Sequence, residues 1–424
     1  MGFQQGLSGL NAASKNLDVI GHNIANANTT GFKSSRAEFA EAVASAVGSA
    51  SGQNSGIGVN VAAVTQQFRQ GPITTTGNNL DVAINGNGFF VVRQPDGSTA
   101  YTRAGNFGLD KQGNLKTVQG DNVMGYPVDA TTGKVLAGGQ PVPMVFPSGQ
   151  PIAAKTTTKI DVSLNLDARA TPAAGNSTAT PPVPATPRAT YGTSINVYDS
   201  QGVPTPVQMY FEKDAASNTW KVYDGLDDPA ASPPKVATLL TTLVFDASGK
   251  ITSGSPVTGV QIKSSNPNAP TPGTINGTAG VTLDFSNVSQ FGSKFAVSSL
   301  KQDGYTAGAL TGINVGNDGS IVATYSNGVT RTEGQLALAA FTNTQGLGAV
   351  GDNKWVETSD SGPALNGTAE SGTFGSLRSG ALEDSNVDLT AELVNMMTAQ
   401  RAYQANAQTI KTQDQVFSTL VNLR

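Results

Sequence analysis

The chain contains 424 residues, which is enough for more than one buried core, so two or three domains are expected. Charged residues make up only 13% of the sequence, about half the usual share of roughly 25%, and the formal net charge of −4 argues against nucleic acid as a partner. Because the chain has no cysteine and no run of ~18 apolar residues, we expect no disulfide, no cysteine-based metal site and no membrane insertion.

The first predicted element is a helix from about Gly2 to Asn28, ended by Gly31. Its apolar residues recur every seven positions, as in the seam of a coiled coil. They are Phe3, Leu10, Leu17 and Ile24, with Leu7 at the intermediate position. The glycines at positions 6, 9 and 21 each cost about 1 kcal/mol relative to alanine. We therefore expect this helix to form fully only when it is packed against a partner.

The central part of the chain is predicted to be β structure, joined to the first helix by a connecting segment, residues 31–71. From Gly71 onward the apolar period changes to two, and turns that combine Asp with Gly separate the alternating stretches. These turns lie at 95–98, 110–114, 199–202, 246–249 and 317–320. The strands predicted beside them include Phe89–Arg93, Thr193–Tyr198, Val207–Phe211 and Leu239–Phe245. Proline-rich patches at 172–188, 228–234 and 266–273 are predicted to be exposed loops.

A second seven-residue repeat predicts a long helix at the end of the chain. It is formed by Leu389, Met396, Tyr403, Ile410 and Phe417, with Leu393, Ala407 and Val421 at the matching offset. Ser385 followed by Asp388 resembles a capping box and places the start of the helix there. About 33 residues without glycine or proline would then extend for about 50 Å, which is longer than a small domain needs.

Both helices carry mainly amide and hydroxyl side chains where a solvated helix would carry Lys and Glu. Such charge-poor faces favour helices that are surrounded by copies of themselves, so the repeat residues are predicted to form a self-assembly interface. Its predicted members are Phe3, Leu7, Leu10, Leu17, Ile24, Leu389, Leu393, Met396, Tyr403, Ile410, Phe417 and Val421. The alternative is a two-helix hairpin that docks on the body of a monomer.

The predicted fold class is mainly β with α-helical termini, in which nested all-β domains are carried on a coiled-coil arm formed by the N- and C-terminal helices. Pairing of the two ends requires the chain to leave an inner domain, form an outer domain and return. The predicted division is an N-terminal helical arm (1–30), a connecting segment (31–71), the inner β domain, first part (72–147), the outer β domain (148–299), the inner β domain, second part (300–375), and a C-terminal helical arm (376–424).

No arrangement of residues in the sequence favours a catalytic site, so the chain is predicted not to be an enzyme and to need no cofactor or metal. Glycines 346, 348 and 351 match a dinucleotide-binding motif, but no helical pattern follows them, and a glycine-rich turn is predicted instead. His22, the single histidine, lies among helical amides and is predicted to be a packed or interface residue. Most Asp residues lie in the turns, and none of these turns has the full ligand spacing of a calcium loop.

Four stretches of the sequence resemble the axial proteins of the bacterial flagellum, the rod and hook subunits. The N-terminal stretch, residues 8–39, contains Asn23-Ile24-Ala25-Asn26 followed by Thr30-Gly31-Phe32-Lys33. The C-terminal stretch, residues 382–415, is similar to the partner signature of the same family. Residues 80–92 and 101–128 resemble the first β segment that hook and distal-rod proteins share.

The resemblance implies a subunit that passes unfolded through the flagellar export apparatus, without a cleaved signal peptide, and polymerises into an extracellular helical tube. Distal-rod subunits lack a substantial domain between the shared segments, whereas residues 148–299 occupy that place here. A subunit of the hook, the flexible tube that couples the rotary motor and rod to the filament, is therefore the first expectation. A distal-rod subunit of the basal body is the alternative. The implied partners are further copies of the chain and the distal-rod, hook-cap and hook–filament junction proteins.

A protein of a different class also fits the residues: a secreted β-rich enzyme or a carbohydrate-binding adhesin with helical ends. In such a protein, removal of residues 1–30 would leave activity and secretion intact. In a polymer subunit the same deletion would abolish assembly, so this deletion separates the two classes.

Overall fold

A computed structural model gives the fold of the chain. It describes all residues except 1, 44–55, 130–133, 137, 147–150, 176–177, 179, 182–185, 217, 228–235, 269–272 and 423–424, and only the backbone of residues 2, 3, 42, 43, 56, 57 and 420–422. The chain divides into two compact units. Unit 1 contains Met1–Gly149, Thr311–Thr324 and Thr330–Arg424, and unit 2 contains Gln150–Leu310 and Tyr325–Val329.

The first part of unit 1 begins with a long helix and continues with short strands. Its elements are α1 (Gly2–Ala25), β1 (Ser35–Val43), β2 (Gly56–Gln66), β3 (Ile73–Thr75), β4 (Val82–Asn85), β5 (Phe89–Arg93), β6 (Thr99–Thr102), β7 (Phe107–Leu109), β8 (Leu115–Thr117), β9 (Asn122–Pro127) and β10 (Val142–Pro143). Unit 2 follows with β11 (Lys159–Asp167), β12 (Gly192–Tyr198), β13 (Pro204–Lys213), β14 (Thr219–Tyr223), β15 (Leu239–Phe245), β16 (Ile251–Ser253), β17 (Val257–Val260), β18 (Val281–Asp284), β19 (Ser289–Phe291) and β20 (Ala296–Gln302).

The chain then returns to unit 1 and ends in the second long helix. The elements of this part are β21 (Leu310–Val315), β22 (Ser320–Tyr325), β23 (Thr330–Leu336), β24 (Leu338–Ala340), β25 (Gly348–Gly351), β26 (Lys354–Val356), β27 (Leu365–Gly367), β28 (Ser376–Ser379), β29 (Ala381–Glu383) and α2 (Leu389–Asn422). Short 3-10 helices lie at Arg188–Thr190, Gly277–Ala279 and Thr344–Gly346.

The main sheet of unit 1 carries a buried aromatic core. Its strands follow the order β21-β22-β23-β9-β5-β6-β26-β25. Phe89 of β5 packs edge-on against Trp355 of β26, with ring centroids 5.7 Å apart. Successive side chains of a strand point to opposite faces, so the next residue, Phe90, packs on Phe107 outside this core. The sheet is therefore covered on both faces in this region.

Two small antiparallel pairs join the strands that precede α2 to strands that follow β2. β28 pairs with β4, and β29 pairs with β3. The Gly31 amide, shortly after α1, also donates a hydrogen bond of 2.8 Å to the carbonyl of Glu383. The end of α1 and the beginning of α2 are thus held at the same place on unit 1.

Unit 2 contains two sheets that share one apolar core. One sheet has the order β17-β18-β11-β19, with β20 also pairing with β11, and the other has the order β12-β13-β14-β15-β16. Alternate residues of β11, from Ile160 to Leu166, are buried in the same core as Trp220 of β14. This period-two burial is what a strand with one core-facing side produces.

The predicted fold class is confirmed, because the described chain is mainly β with one long helix at each end. Each of the five predicted Asp–Gly turns joins two neighbouring strands of a sheet. In every turn the Asp carboxylate accepts the backbone N–H two residues later, and the glycine has a positive φ. Asp246, for example, accepts from the Ser248 amide at 2.8 Å, and Gly249 has φ 79°. Local side-chain chemistry therefore sets the hairpins.

The predicted helix boundaries are wrong at two points. α2 is capped by Asp388, whose Oδ1 accepts from the amides of Thr390 at 2.9 Å and Ala391 at 3.1 Å, so the capping box at Ser385 does not form. The chain stays extended before this cap because the Asp384 amide bonds to the carbonyl of Pro72. α1 ends at Ala25, before the predicted Asn28, and the next residues form turns.

The connecting segment 31–71 contains secondary structure that the sequence analysis did not assign. β1 and β2 form an antiparallel hairpin in which Ser35 lies opposite Gln66. The alternation of polar and apolar residues in both strands is the sequence signal that would have predicted it.

Candidate assembly interface

α1 and α2 lie side by side and run antiparallel. The direction follows from three contacts along the pair, which join Gly6 to Ile410, Gly9 to Asn406 and Asn23 to Glu392. A Cβ added at Gly6 would lie 3.0 Å from Cγ1 of Ile410. One added at Gly9 would lie 2.9 Å from the side chain of Asn406. The glycines that weaken α1 as an isolated helix therefore let the two helices approach closely.

α2 extends beyond α1 at the end of the pair that contains both chain termini. α1 has 24 residues and α2 has 34, which at 1.5 Å per residue gives lengths of about 36 and about 51 Å. Since Gly6 lies opposite Ile410, the last two turns of α2 lie past the start of α1. Phe417 continues the seven-residue repeat into these turns, and it is 57% exposed there.

The structure divides the predicted interface residues into two groups. Those that are partly buried are Leu10, Leu17, Ile24, Met396 and Ile410. Those that are exposed are Leu7, Leu389, Leu393, Tyr403 and Phe417. The side chains of Phe3 and Val421 lie outside the described residues. Pairing of the two helices within one chain thus leaves much of the repeat in contact with solvent.

Sequence reasoning missed three exposed apolar residues of α2. They are Val394, Met397 and Val416, each about as exposed as Leu393. Met397 follows Leu393 by four positions, and Leu393 follows Leu389 by four, so these three side chains form one stripe along α2. The four-residue spacing was the signal that could have found this stripe, which lies beside the seven-residue repeat.

A buried cluster of charged residues, here called the anchor, holds the helix pair to the rest of unit 1, here called the body. It consists of Lys33, Arg103 and Glu383. Lys33 Nζ lies 2.6 Å from Glu383 Oε1, and Arg103 Nη1 lies 3.2 Å from Glu383 Oε2. The side chains of Lys33 and Glu383 are fully buried. Lys33 comes shortly after α1, Glu383 comes shortly before α2, and Arg103 follows β6, so the anchor connects both helices to the body.

Backbone groups supply further hydrogen bonds to the anchor. Lys33 Nζ also donates to the carbonyl of Arg69 at 2.8 Å, and the Gly71 amide donates to Glu383 Oε1 at 2.9 Å. Burial lowers the pKa of Lys33, and the charge of Glu383 opposes that change. Burial likewise lowers the pKa of Arg103, again opposed by Glu383. A single carboxylate therefore stabilises both buried cations.

Two asparagines extend the anchor toward the helices and the β1–β2 hairpin. Asn23 on α1 exchanges hydrogen bonds of 2.8 Å with the backbone of Ser35 and donates to Glu392 on α2. Asn386 accepts from the Ser34 amide at 2.7 Å and donates to the carbonyl of Gln67 at 2.7 Å. These amides fix the hairpin beside the ends of both helices.

The predicted interface did not include the anchor, although each of its residues lies within a stretch that carries the family resemblance. Lys33 ends Thr30-Gly31-Phe32-Lys33, Arg103 lies in residues 101–128, and Glu383 lies in residues 382–415. A charged residue in each of three separate signatures was the available signal. Sequence alone does not show that the three side chains meet.

The residues considered for catalysis, dinucleotide binding or metal binding have the following positions in the structure. The ring of exposed His22 lies 5.4 Å from that of Phe32, centroid to centroid. Gly346 belongs to a 3-10 helix and Gly348 to β25, so no α-helix begins at this glycine motif. Within the part of the chain that the structure describes, no three acidic or histidine side chains are grouped to hold a metal ion. Neither α1 nor α2, over their described residues, combines the length and apolarity needed to cross a membrane.

Family models match four parts of the chain. Their descriptions and the residues matched are "Flagella basal body rod protein" (3–33), "Flagellar hook protein FlgE/F/G D1 domain" (83–165), "Flagellar basal body protein FlaE D2 domain" (165–305) and "Flagellar basal body rod FlgEFG protein C-terminal" (378–423). The two terminal models cover α1, Lys33, Glu383 and α2.

Relatives match the chain over its whole length. It is 44% identical over 436 residues to the flagellar hook protein FlgE of Salmonella typhimurium, with 100% of both chains covered. It is 42% identical over 429 residues to FlgE of Escherichia coli strain K12, again with 100% of both covered. The crystal structure of Helicobacter pylori flagellar hook protein FlgE2 has a similar fold, with a TM-score of 0.53 and 16% identity, over 73% of this chain and 100% of that one.

Proposed function

The chain belongs to the family of flagellar hook proteins, and on that premise we propose that its two terminal helices are the part through which it self-assembles into the hook. The protein is a structural subunit of the flagellum. We assign it no catalytic role.

The observation that carries this proposal is the apolar surface of α2. Leu393 is 50% exposed and Phe417 is 57% exposed, on a helix whose other side chains are mostly amides, hydroxyls and alanines. Soluble monomers rarely leave contiguous large apolar side chains in water, and such a surface usually marks an interaction site. The proposed self-assembly interface therefore comprises the exposed repeat residues together with Met397, while the partly buried residues hold α1 against α2.

A hook subunit fits the chain better than a distal-rod subunit. The D2-domain match over 165–305 falls in unit 2, which occupies the place where a distal-rod subunit would lack a substantial domain. A helix pair that packs with its copies in an inner wall also suits a flexible tube. We propose that such a tube couples the motor and rod to the filament.

The proposed partners follow from a position in the hook. Copies of the same chain form a heterologous, non-closing assembly, in which each subunit presents one surface to the next and a complementary surface to the previous one. The distal rod, the hook cap and the hook–filament junction proteins are proposed to contact the ends of the tube. The flagellar export apparatus is proposed to deliver the unfolded chain to an extracellular assembly point.

Deletion of residues 1–30 tests the proposal. The deletion removes the whole of α1 and leaves α2 without its partner, so purified wild-type chain is expected to form tubes by electron microscopy and the deleted chain is expected to stay monomeric. Hydrogen exchange of the β5 amides serves as the control that the rest of unit 1 remains folded. Tubes formed by the deleted chain would overturn the proposal.

A further inference from the structure

The anchor joins three parts of the chain that are distant in sequence. From it we infer that Glu383 is a positioning residue for assembly. The segment after α1 can dock on the body only when the segment that leads into α2, which carries Glu383, is also in place. A chain that lacks either segment would then not present the helix pair in its assembled position. This inference deepens the proposed assembly function and rests on it.

The first step is the charge balance of the anchor. Two cations, Lys33 and Arg103, share the single carboxylate of Glu383 in a site where Lys33 and Glu383 have no exposed side-chain surface. The charge of Arg103 by itself disfavours the charged form of Lys33. Without the carboxylate, two like charges would therefore be buried together, which is strongly unfavourable.

The second step is the position of Glu383 in the hydrogen-bond network. Its carboxylate accepts from Lys33, Arg103 and the Gly71 amide, and its backbone carbonyl accepts from the Gly31 amide. These donors come from the segment after α1, from the segment after the β1–β2 hairpin and from the end of β6. One residue next to α2 is thus the common acceptor for these three segments.

The third step is that most of the buried core of the body comes from strands outside the anchor and the β1–β2 hairpin. The core around Phe89 and Trp355 takes its buried residues from β5, β6, β9, β26 and the stretch at β24, and Phe68, from the segment after the β1–β2 hairpin, packs against it while partly buried. We expect loss of the Glu383 charge to be relieved by release of Lys33, and with it α1 and the hairpin, into solvent. Release of this segment would leave the β sheet intact.

An exposed ion pair in the same region supplies a matched control. Arg36 and Glu38 on β1 lie 2.5 Å apart, but both side chains are exposed. A pair of this kind contributes little, because water already stabilises each charge. E38Q therefore removes the same charge as E383Q, close by in the structure, without leaving a buried cation.

The test measures amide hydrogen exchange in full-length monomers of wild type, E383Q, E38Q and K33M/E383Q. The informative amides, here called root amides, are Gly31, Ser34, Gly71 and Asp384. In E383Q the root amides are expected to exchange at least about a hundredfold faster than in wild type, while the β5 amides keep their protection. E38Q is expected to match wild type. K33M/E383Q is expected to recover much of the protection, since it buries one cation instead of two.

If the root amides of E383Q exchanged at the wild-type rate, the inference would be overturned. The same would follow if they exchanged as fast in K33M/E383Q as in E383Q. Loss of β5 protection in E383Q would also overturn it, because Glu383 would then stabilise the whole of unit 1. The measurement is made on monomers, so it is independent of polymerisation. If wild-type chain formed no tubes while E383Q behaved as expected, the proposed function would fail and the conditional docking would stand.

Discussion

The body of unit 1 and helix α2 carry similar large apolar side chains but use them in opposite ways. In the body, Phe89 and Trp355 are at most 3% exposed and pack against each other. On α2, Leu393 and Phe417 are at least half exposed. The body therefore gains its stability within one chain, whereas the described chain leaves apolar surface of α2 exposed, which under the proposed function other subunits cover.

The anchor lies between the body and the helix pair, and like the core of the body it is stabilised by contacts within one chain. Its charges are buried and joined to one another and to backbone groups, so it fixes the helix pair at one end. At the opposite end, α2 continues past α1, and Phe417 is 57% exposed there. The helix pair is therefore fixed to the body at one end and exposed to solvent at the other.

The largest expected effect comes from the body. Trp355→Ala removes a buried ring that contacts Phe68 and Phe89, and it is expected to destabilise unit 1 by about 3–5 kcal/mol. Native-state hydrogen exchange of the β5 amides in increasing urea measures this loss. Phe417→Ala is the matched exposed aromatic and should change the monomer by at most about 0.5 kcal/mol. Equal costs for the two substitutions would show that Trp355 contributes no more to the stability of unit 1 than an exposed aromatic residue does.

A smaller, local effect is expected within the helix pair. Ile410→Asp places a carboxylate against Gly6 of α1, and it is expected to weaken pairing by about 2 kcal/mol or more. Circular dichroism at 222 nm should show loss of helix while the β5 amides stay protected. Gln408→Asp, an exposed neighbour on α2, adds the same charge and should retain the helical signal. Full helicity in the Ile410 variant would show that the pair does not depend on this contact.

Leu393→Asp is expected to leave the monomer unchanged and to act on assembly alone. Leu393 is exposed in the single chain, so the substitution costs little stability in the monomer. In the polymer the new carboxylate would be buried without a partner at the contacts between subunits, which opposes assembly. The critical concentration for tube formation, measured by sedimentation, should rise at least about tenfold, which corresponds to about 1.4 kcal/mol. Val118→Asp, at an exposed position on the body, provides the control. Normal motility of cells that carry Leu393→Asp would count against the proposed interface.

The effect with the least consequence at neutral pH is an alkaline pH dependence confined to the body. Burial, together with the nearby Glu357 carboxylate, raises the pKa of Tyr101 to about 12 from its usual value of 10. The unfolded chain therefore releases this proton first, and the stability of unit 1 should fall as pH rises from 10 toward 12. Tyr101→Phe should remove this part of the alkaline slope in urea denaturation. An unchanged slope in the variant would exclude Tyr101 as its source.

The sequence predicted the fold class and the hairpin turns because their causes are local. Asp246 and Gly249 form their turn through a carboxylate two residues from an amide and a backbone angle that glycine allows. The start of α2 was misplaced for a reason that is not local. Asp384 is held by the carbonyl of Pro72, more than three hundred positions away in the chain, which keeps Ser385 out of the helix.

Only the parts of the candidate site that belong to the seven-residue repeat could be predicted from the sequence. The seven-residue repeat identified both helices, but it did not distinguish Ile410, which faces α1, from Leu393, which is exposed, since that depends on which face α1 covers. The anchor has no repeat or spacing of its own. Lys33, Arg103 and Glu383 meet only because the strand pairs β3–β29 and β4–β28 bring the two chain ends together.

Site-specific thiol labelling tests most directly whether other copies of the chain cover the exposed side of α2. The chain contains no cysteine, so L393C and F417C each introduce a single reactive thiol, and V118C introduces one on the body as a control. In tubes, alkylation of L393C and F417C by iodoacetamide is expected to be at least about tenfold slower than in monomers, because neighbouring subunits bury both positions. V118C should react at a rate much closer to its monomer rate. Equal alkylation rates of L393C and F417C in tubes and monomers would show that other copies of the chain do not cover the exposed side of α2.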